Sequence, residues 1–264
     1  MRGAEPTAQR RRESWVWGSA AFAVLGVAWW GITAAGVFNE RLVPPPVDVL
    51  RAFTEMLASG EWLHDLGSSL GRYGAGFALG NVLGVGLGVM TAHSRIARFT
   101  VGAILNFARS TPTILLIPVA MVWLGIGEAE KILVVTWGVL FPVWLNTHMG
   151  LAAVVKEYVW VAQSLGATKA QLYRHVYLPH TLLHIVTGAR IAVSTGFFAL
   201  AATEVVGAFS GIGFRAFFSY QIFRTDRMIV AILTLTSVAF VVDRLFVLVV
   251  RRVVPWWRHA QLEG

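Results

Sequence analysis

The sequence contains no cysteine, and only 14% of its residues are charged. The first absence excludes disulfides, thiolate metal sites and a cysteine nucleophile. The second excludes an ordinary soluble domain, in which about 25% of residues carry charge. Acid is scarcer than base: 14 Asp and Glu stand against 22 Lys and Arg, for a net charge of +8. Such a balance can mark a nucleic-acid binder, but here the basic residues fall in short clusters between apolar runs and build no contiguous face. The phosphate-binding pattern GxxxxGK[ST] is missing, so the chain is expected to bind no ATP of its own. Also missing are HExxH and GxSxG; the serine of GAFSGIG is wrongly placed for a nucleophile elbow. No pair of aspartates lies within the apolar runs, so a membrane-embedded hydrolase is not indicated and the chain reads as no enzyme.

Apolar residues are abundant, at 56% of the 264 residues, with a mean hydropathy of +0.64. The apolar runs lie near 15–38, 68–92, 99–125, 132–151, 183–208 and 229–250. Each is close to the roughly 20 residues that cross a hydrocarbon layer, which predicts an all-α membrane protein with about six transmembrane helices. The first run follows Arg10-Arg11-Arg12 like a signal peptide. It is longer than the 7–15 apolar residues of such a segment and lacks a small-residue cleavage site, so a retained helix is expected. The organisation read from the sequence is a basic, disordered tail over 1–14, a transmembrane domain over 15–250 and a basic, aromatic tail over 251–264. The core of that domain is 68–250, with a polar loop at 152–182, and Trp256, Trp257 and Arg258 form an interfacial anchor in the tail.

Orientation follows from Lys and Arg. With the N-terminus inside, the inner segments hold Arg2, Arg10, Arg11, Arg12, Arg95, Arg98, Lys156, Lys169, Arg174, Arg251, Arg252 and Arg258. The outer ones hold Arg41, Arg51, Lys131, Arg215, Arg224 and Arg227. The excess predicts both termini, and the 152–182 loop, in the cytoplasm.

Within this frame, Pro44-Pro45-Pro46 starts a stiff element, followed by Val49, Leu50, Phe53, Met56 and Leu57 at helical spacing. That helix either lies on the outer surface or packs on the bundle. Gly76, Gly80, Gly84 and Gly88 recur every fourth residue, a stripe that lets helix backbones approach closely, within the chain or across a dimer seam. Arg109-Ser110-Thr111-Pro112 and Pro118 interrupt the third run. Proline removes a donor, and an intramembrane Arg needs protein, a watery path or a route to the headgroups. Asn146 and Thr147 either bond neighbouring helices or line a path, and His148 reads as a structural hydrogen-bonding partner. Arg190, Ser194, Thr195, Thr203 and Glu204 sit in the fifth run. Glu204 reads as the only acid deep in a span apart from Asp243, which with Arg244 reads as a solvated helix end. Residues 205–227 read as an outer loop or shallow helix.

The polar stretch 157–179, EYVWVAQSLGATKAQLYRHVYLP, lies between two long apolar runs. Residues 157–165 are expected to form a two-turn helix presenting Tyr158, Val161 and Leu165, with Gly166 permitting a tight turn. A second helix is expected from about Thr168 to Tyr177, stopped by Pro179. Val161, Ala162, Gly166, Ala167, Val176, Leu178 and Pro179 keep, without a gap, the spacing of the cytoplasmic Glu-Ala-Ala loop of ABC importer permeases. Trp160 stands where that pattern has Glu, and Val161 where it has Ala. PTILLIPVAMVWLGIGEAEKI, FPVWLNTHMGL and ATEVVGAFSGIGF resemble flanking segments of the nitrate, sulfonate and taurine branch, so the likeness runs from about Val43 to the end.

The resemblance implies a type I importer permease of the bacterial inner membrane, acting as a homodimer. It further implies two ABC ATPase subunits that hold ATP and Mg, and a periplasmic or lipid-anchored substrate-binding protein. Tyr158, Trp160, Val161, Ala162, Leu165, Gly166, Ala167, Leu178 and Pro179 would then couple to the ATPase. Arg109, Thr111, Asn146, Arg190, Ser194 and Glu204 are the candidates for the translocation path of a small anion such as an aliphatic sulfonate, taurine or nitrate. An ATP-independent secondary transporter or channel is the alternative; broken helices are present, but no internal repeat.

Overall fold

The structure, a computed structural model, describes residues 8–36 and 38–254, and every regular element among them is helical. The elements are α1 (Ala8–Ala34), α2 (Pro46–Ala58), α3 (Glu61–His93), α4 (Arg95–Phe99), α5 (Val101–Ala108) and α6 (Thr113–Leu124). They continue with α7 (Glu128–Ala152), α8 (Lys156–Ser164), α9 (Lys169–Leu172), a π-helical turn (Tyr173–Tyr177), α10 (Leu178–Gly207), α11 (Ile212–Gln221) and α12 (Thr225–Val253). Five of the helices are long and apolar enough to cross a membrane, and counting the pair Arg95–Ala108 and Thr113–Leu124, bent by 101°, as one broken span gives six. The expectation of about six spans is met on that count. Helix α1 begins at Ala8, inside the segment expected to be a disordered tail. The anchor expected at Trp256, Trp257 and Arg258 lies outside the described residues.

Three spans, α3, α7 and α10, make the core. The glycine stripe of α3 faces α7: a Cβ on Gly76, Gly80, Gly84 or Gly88 would lie 2.5–2.7 Å from the Cβ of Val135, Val139, Val143 or Thr147 in turn. Hydrogen in place of a side chain is what lets these two backbones meet. The stripe thus packs within the chain. On the other side of α7, Gly138 faces Ala199 and the Thr195 carbonyl, while Gly188 faces Asn146 and Pro142. Tyr73, Val139, Val193, Phe197 and Leu200 fill the centre. The Tyr73 and Phe197 rings are stacked with centroids 4.0 Å apart.

Helix α12 flanks this core through Val242 and Phe246. Helix α2 turns Val49, Ala52 and Met56 onto Val230 of α12, so its apolar face packs on the bundle. Helix α1 is peripheral, joined by the hydrogen bond from Trp29 Nε1 to the Pro44 carbonyl at 3.2 Å. Spans α3 and α7 also begin earlier than the apolar runs suggest, at Glu61 and Glu128. Asp65, Glu130 and Lys131 in those extra turns are buried and paired, while Glu61, His64 and Glu128 keep partial or greater exposure. Hydropathy counts all of them as polar and so placed both starts later.

Candidate functional site

The break between α5 and α6 is local chemistry. Pro112 has no N–H and disfavours helix at the residue before it, so the chain leaves helical geometry after Ala108 and restarts at Thr113. The joint opens on a hollow of about 400 Å³ whose lining includes Arg109, Thr111, Thr113, Trp137, Phe141 and Thr195. Arg109 Nε donates to Asn106 Oδ1 at 3.1 Å. Trp137 and Phe141 meet edge to face with centroids 4.9 Å apart. Thr195 Oγ1 donates to the Gly138 carbonyl at 2.9 Å across the α7–α10 contact. Along α10, Thr187, Ile191, Ser194 and Phe198 form an exposed stripe at helical spacing, on a helix otherwise largely buried.

Of the candidate path residues, Arg109 and Thr111 share this hollow, and Ser194 is exposed on α10 beside Thr195 and Phe198, both of which line it. The other three are elsewhere. Asn146 donates within its own helix to the Pro142 carbonyl at 2.8 Å. Arg190 pairs with Asp243 of α12 at 3.2 Å. Asp243 is therefore a bridge between spans and not a solvated end, while Arg244 lies 4.8 Å over the Phe240 ring. His148 Nδ1 meets Thr91 Oγ1 at 3.0 Å, a structural contact as expected.

Glu204 is fully buried, with Arg72 Nη1 2.8 Å away. The same guanidinium reaches both oxygens of Glu128, at 2.6 and 2.7 Å, and the Ser210 carbonyl at 2.6 Å. Three successive amides at the start of α11 end on side chains of two spans. Gly211 N–H donates to Asp65 Oδ1 at 2.9 Å, Ile212 N–H to Ser69 Oγ at 2.9 Å, and Gly213 N–H to Glu204 Oε2 at 2.8 Å. Arg215 closes the cluster on Asp65 at 2.7 Å. Nor is Glu204 the only deep acid besides Asp243: Glu130 is also fully buried, held by Lys131 Nζ at 2.7 Å and Thr203 Oγ1 at 3.0 Å. Arg72 and Asp65 escaped sequence reasoning. The available signal was Glu204 itself, since a buried carboxylate requires a cation and donors from neighbouring spans.

At the opposite end of the bundle, α8 and α9 protrude as a helical hairpin. Gly166 has φ of +80°, and its N–H donates to the Gln163 carbonyl while Ala167 N–H reaches back to Ala162. This is a glycine-dependent helix stop that satisfies the last carbonyls of α8. The next helix starts from a reciprocal cap: Thr168 Oγ1 accepts from Gln171 N–H at 3.3 Å, and Gln171 Oε1 accepts from Thr168 N–H at 2.8 Å. Rigid turns on both sides of Gly166 fix the hairpin tip. Tyr158, Trp160, Val161 and Leu165 remain exposed there, Leu165 at 83%. A hollow of about 380 Å³ between the two arms is lined by residues including Ala162, Leu165, Gly166, Ala167 and His175.

Pro179 does not stop the second arm. The Leu178 N–H donates to the Tyr173 carbonyl, the wider i→i−5 spacing of a π turn, and the chain runs into α10 without a break. The π turn absorbs the ring and the lost donor that would interrupt an α-helix. Tyr173 also stacks on His93 at the end of α3, and its hydroxyl bonds the His93 imidazole. The second arm is therefore continuous with one core span and tied to another.

A family model described as the binding-protein-dependent transport system inner membrane component matches residues 80–255. The putative aliphatic sulfonates transport permease protein SsuC of Bacillus subtilis is 29% identical over 94% of this chain and 90% of its own length. The taurine transport system permease protein TauC of Escherichia coli is 28% identical over 95% and 96%. The putative SsuC of Escherichia coli is 33% identical over 78% and 79%. Among solved structures, an inward-facing form of the MetNI methionine ABC transporter superposes with a TM-score of 0.60 at 25% identity, covering 75% of this chain and 96% of that one.

Proposed function

The chain belongs to the family of binding-protein-dependent transport system inner membrane components, and from that premise we propose how it works as the membrane permease of an ATP-driven importer. Two copies face each other across the exposed stripe of α10 and the broken α5–α6 span, and the solute passes between them. The α8–α9 hairpin enters a groove of a separate ATPase subunit, one for each copy, where ATP and Mg are held. A substrate-binding protein delivers the solute at the α11 end. The solute is a small organic anion of the sulfonate or taurine type, the class named for the three relatives above. The membrane is the bacterial inner membrane.

The observation that carries the coupling reading is the hairpin. It is short and capped on both sides of Gly166, it exposes Tyr158, Trp160, Val161 and Leu165 among polar residues, and its second arm is covalently continuous with α10. Exposed Tyr, Trp and Leu away from the apolar spans mark a protein contact, and Trp is the residue most enriched at the energetic centre of interfaces. The test is purification of the tagged chain from its native host in mild detergent, with mass spectrometry of what co-purifies. A stoichiometric polypeptide bearing a Walker phosphate loop, lost on Trp160→Ala, supports the reading. Solute uptake by the reconstituted chain without any ATPase would replace it with a secondary transporter.

A further inference from the structure

We infer that the hollow at the α5–α6 joint is a binding station for the acidic head of the transported solute, with Arg109 as its cation. This deepens the permease reading above and rests on it. Gly138, which also lines the hollow, is ten residues along α7 from Glu128, a rise of about 15 Å. That is halfway through a hydrocarbon layer of about 30 Å.

Charge at this depth is costly unless it is paired or faces a watery cavity. The other cations within the core spans are paired: Arg72 with Glu204 and Glu128, Lys131 with Glu130, Arg190 with Asp243. Among the described residues, Arg109 has no carboxylate within 4.0 Å; its one side-chain partner is the neutral Asn106. No acid lines the hollow either. A guanidinium offers a planar fork of donors that matches two oxygens of one acidic group. A bound anion would supply the missing countercharge here.

The rest of the lining narrows the ligand. Thr195 spends its proton on the Gly138 carbonyl, so the side-chain donors open to an anion are the Arg109 guanidinium and the Thr111 and Thr113 hydroxyls, with Arg109 the one charge among them. The edge-to-face pair of Trp137 and Phe141 makes an apolar wall. One cation beside a short aromatic wall fits a compact acidic head on a short carbon chain, as in a small alkyl sulfonate. A bare inorganic anion would leave that wall unused.

The absence of cysteine makes the test direct: Thr111→Cys introduces the only thiol. The full chain would be placed in lipid nanodiscs and treated with two methanethiosulfonate reagents of similar size, one ending in a sulfonate and one in a trimethylammonium. Modification rates would be followed by mass and divided by the rates for a free small thiol. The expected result is about tenfold preference for the sulfonate reagent, lost in Arg109→Met and retained in Arg109→Lys. Methanesulfonate in solution should slow the sulfonate reagent selectively. Thr195→Cys provides a second position should the first variant fold poorly. Equal rates, a preference that survives Arg109→Met, or no reaction at either position overturns the station. Co-purification of the ATPase with the Thr111→Cys chain, Arg109 intact, is measured separately. If the ATPase assembles with that chain while it shows no preference, the station fails alone; if wild-type chain captures no ATPase, the permease reading fails.

Discussion

Arg72 of α3 and Glu204 of α10 meet at 2.8 Å with almost no exposure, 3% and 0%, and between them tie α3, α7, α10 and the start of α11 together. Neither residue is free for solute while this arrangement holds, since each is saturated by protein partners. The pair is a structural clasp at the α11 end of the bundle, distinct in place and chemistry from the Arg109 hollow.

Breaking the clasp on one side leaves a buried charge without its partner, which typically costs about 3–5 kcal/mol. Arg72→Met and Glu204→Gln are each expected to lower the thermal midpoint of the detergent-solubilised chain. The double variant should recover part of the loss. Strict additivity of the two losses would show that the side chains do not interact.

The glycine stripe gives a paired prediction. A Cβ at Gly80 would lie 2.6 Å from Val139 Cβ and 2.9 Å from the Thr136 carbonyl, whereas nothing lies within 4 Å of one at Gly86 on the same helix. Gly80→Ala is expected to cost about 1–3 kcal/mol through overpacking. Gly86→Ala should be neutral or slightly stabilising, by up to about 1 kcal/mol, because alanine is the better helix former. Thermal unfolding of the two variants side by side decides it.

At the hairpin, Gly166→Pro replaces a φ of +80° with a ring fixed near −65°. No neighbouring atom lies within 4 Å of the position, so the bundle should still assemble and insert. The tip, however, is redirected. In the reconstituted transporter this variant should lose solute-stimulated ATP hydrolysis; normal stimulation would remove the hairpin from the coupling path.

Trp160 is 60% exposed on α8 and touches little of its own chain. As an interface anchor its truncation should cost about 2 kcal/mol or more, roughly a thirtyfold weakening of ATPase binding. Stability of the isolated chain should be unchanged. A binding titration of Trp160→Ala against the purified ATPase measures the first quantity, and a melting curve the second.

Arg190 and Asp243 join α10 to α12 within two apolar spans, where each supplies the other's countercharge. Exchanging them, with Arg190→Asp and Asp243→Arg, should keep solute uptake near the original rate. Uptake abolished by the exchange, with the protein folded, would return Arg190 to the path.

Much of this architecture was legible in the chain. Spans were marked by apolar length, the break by Arg109 through Pro112, a close helix contact of open partner by glycine every fourth residue, and the hairpin tip by Gly166. What stayed hidden was polar and long-range. Asp65 and Arg72 look like the wet edge of an apolar run, because hydropathy registers their cost and cannot see partners 132 to 150 positions away. Pro179 misled for a related reason: the rule that proline ends a helix holds for α geometry, and a π turn just before it removes the conflict. Thr111 and Arg109 were within reach as path candidates, but their convergence with Thr195 depends on the α7–α10 crossing.

The clasp and the hairpin sit at opposite ends of one rod. Helix α10 has 30 residues, about 45 Å, and is entered from the π turn with no intervening coil. At its far end Glu204 grips the first turn of α11, so there is no slack at either end. A tilt of about 5° about the midpoint displaces each end by about 2 Å in opposite senses. Motion imposed on the hairpin is thereby delivered as leverage to the α11 cap, and the two sides of the membrane are geared by a single helix.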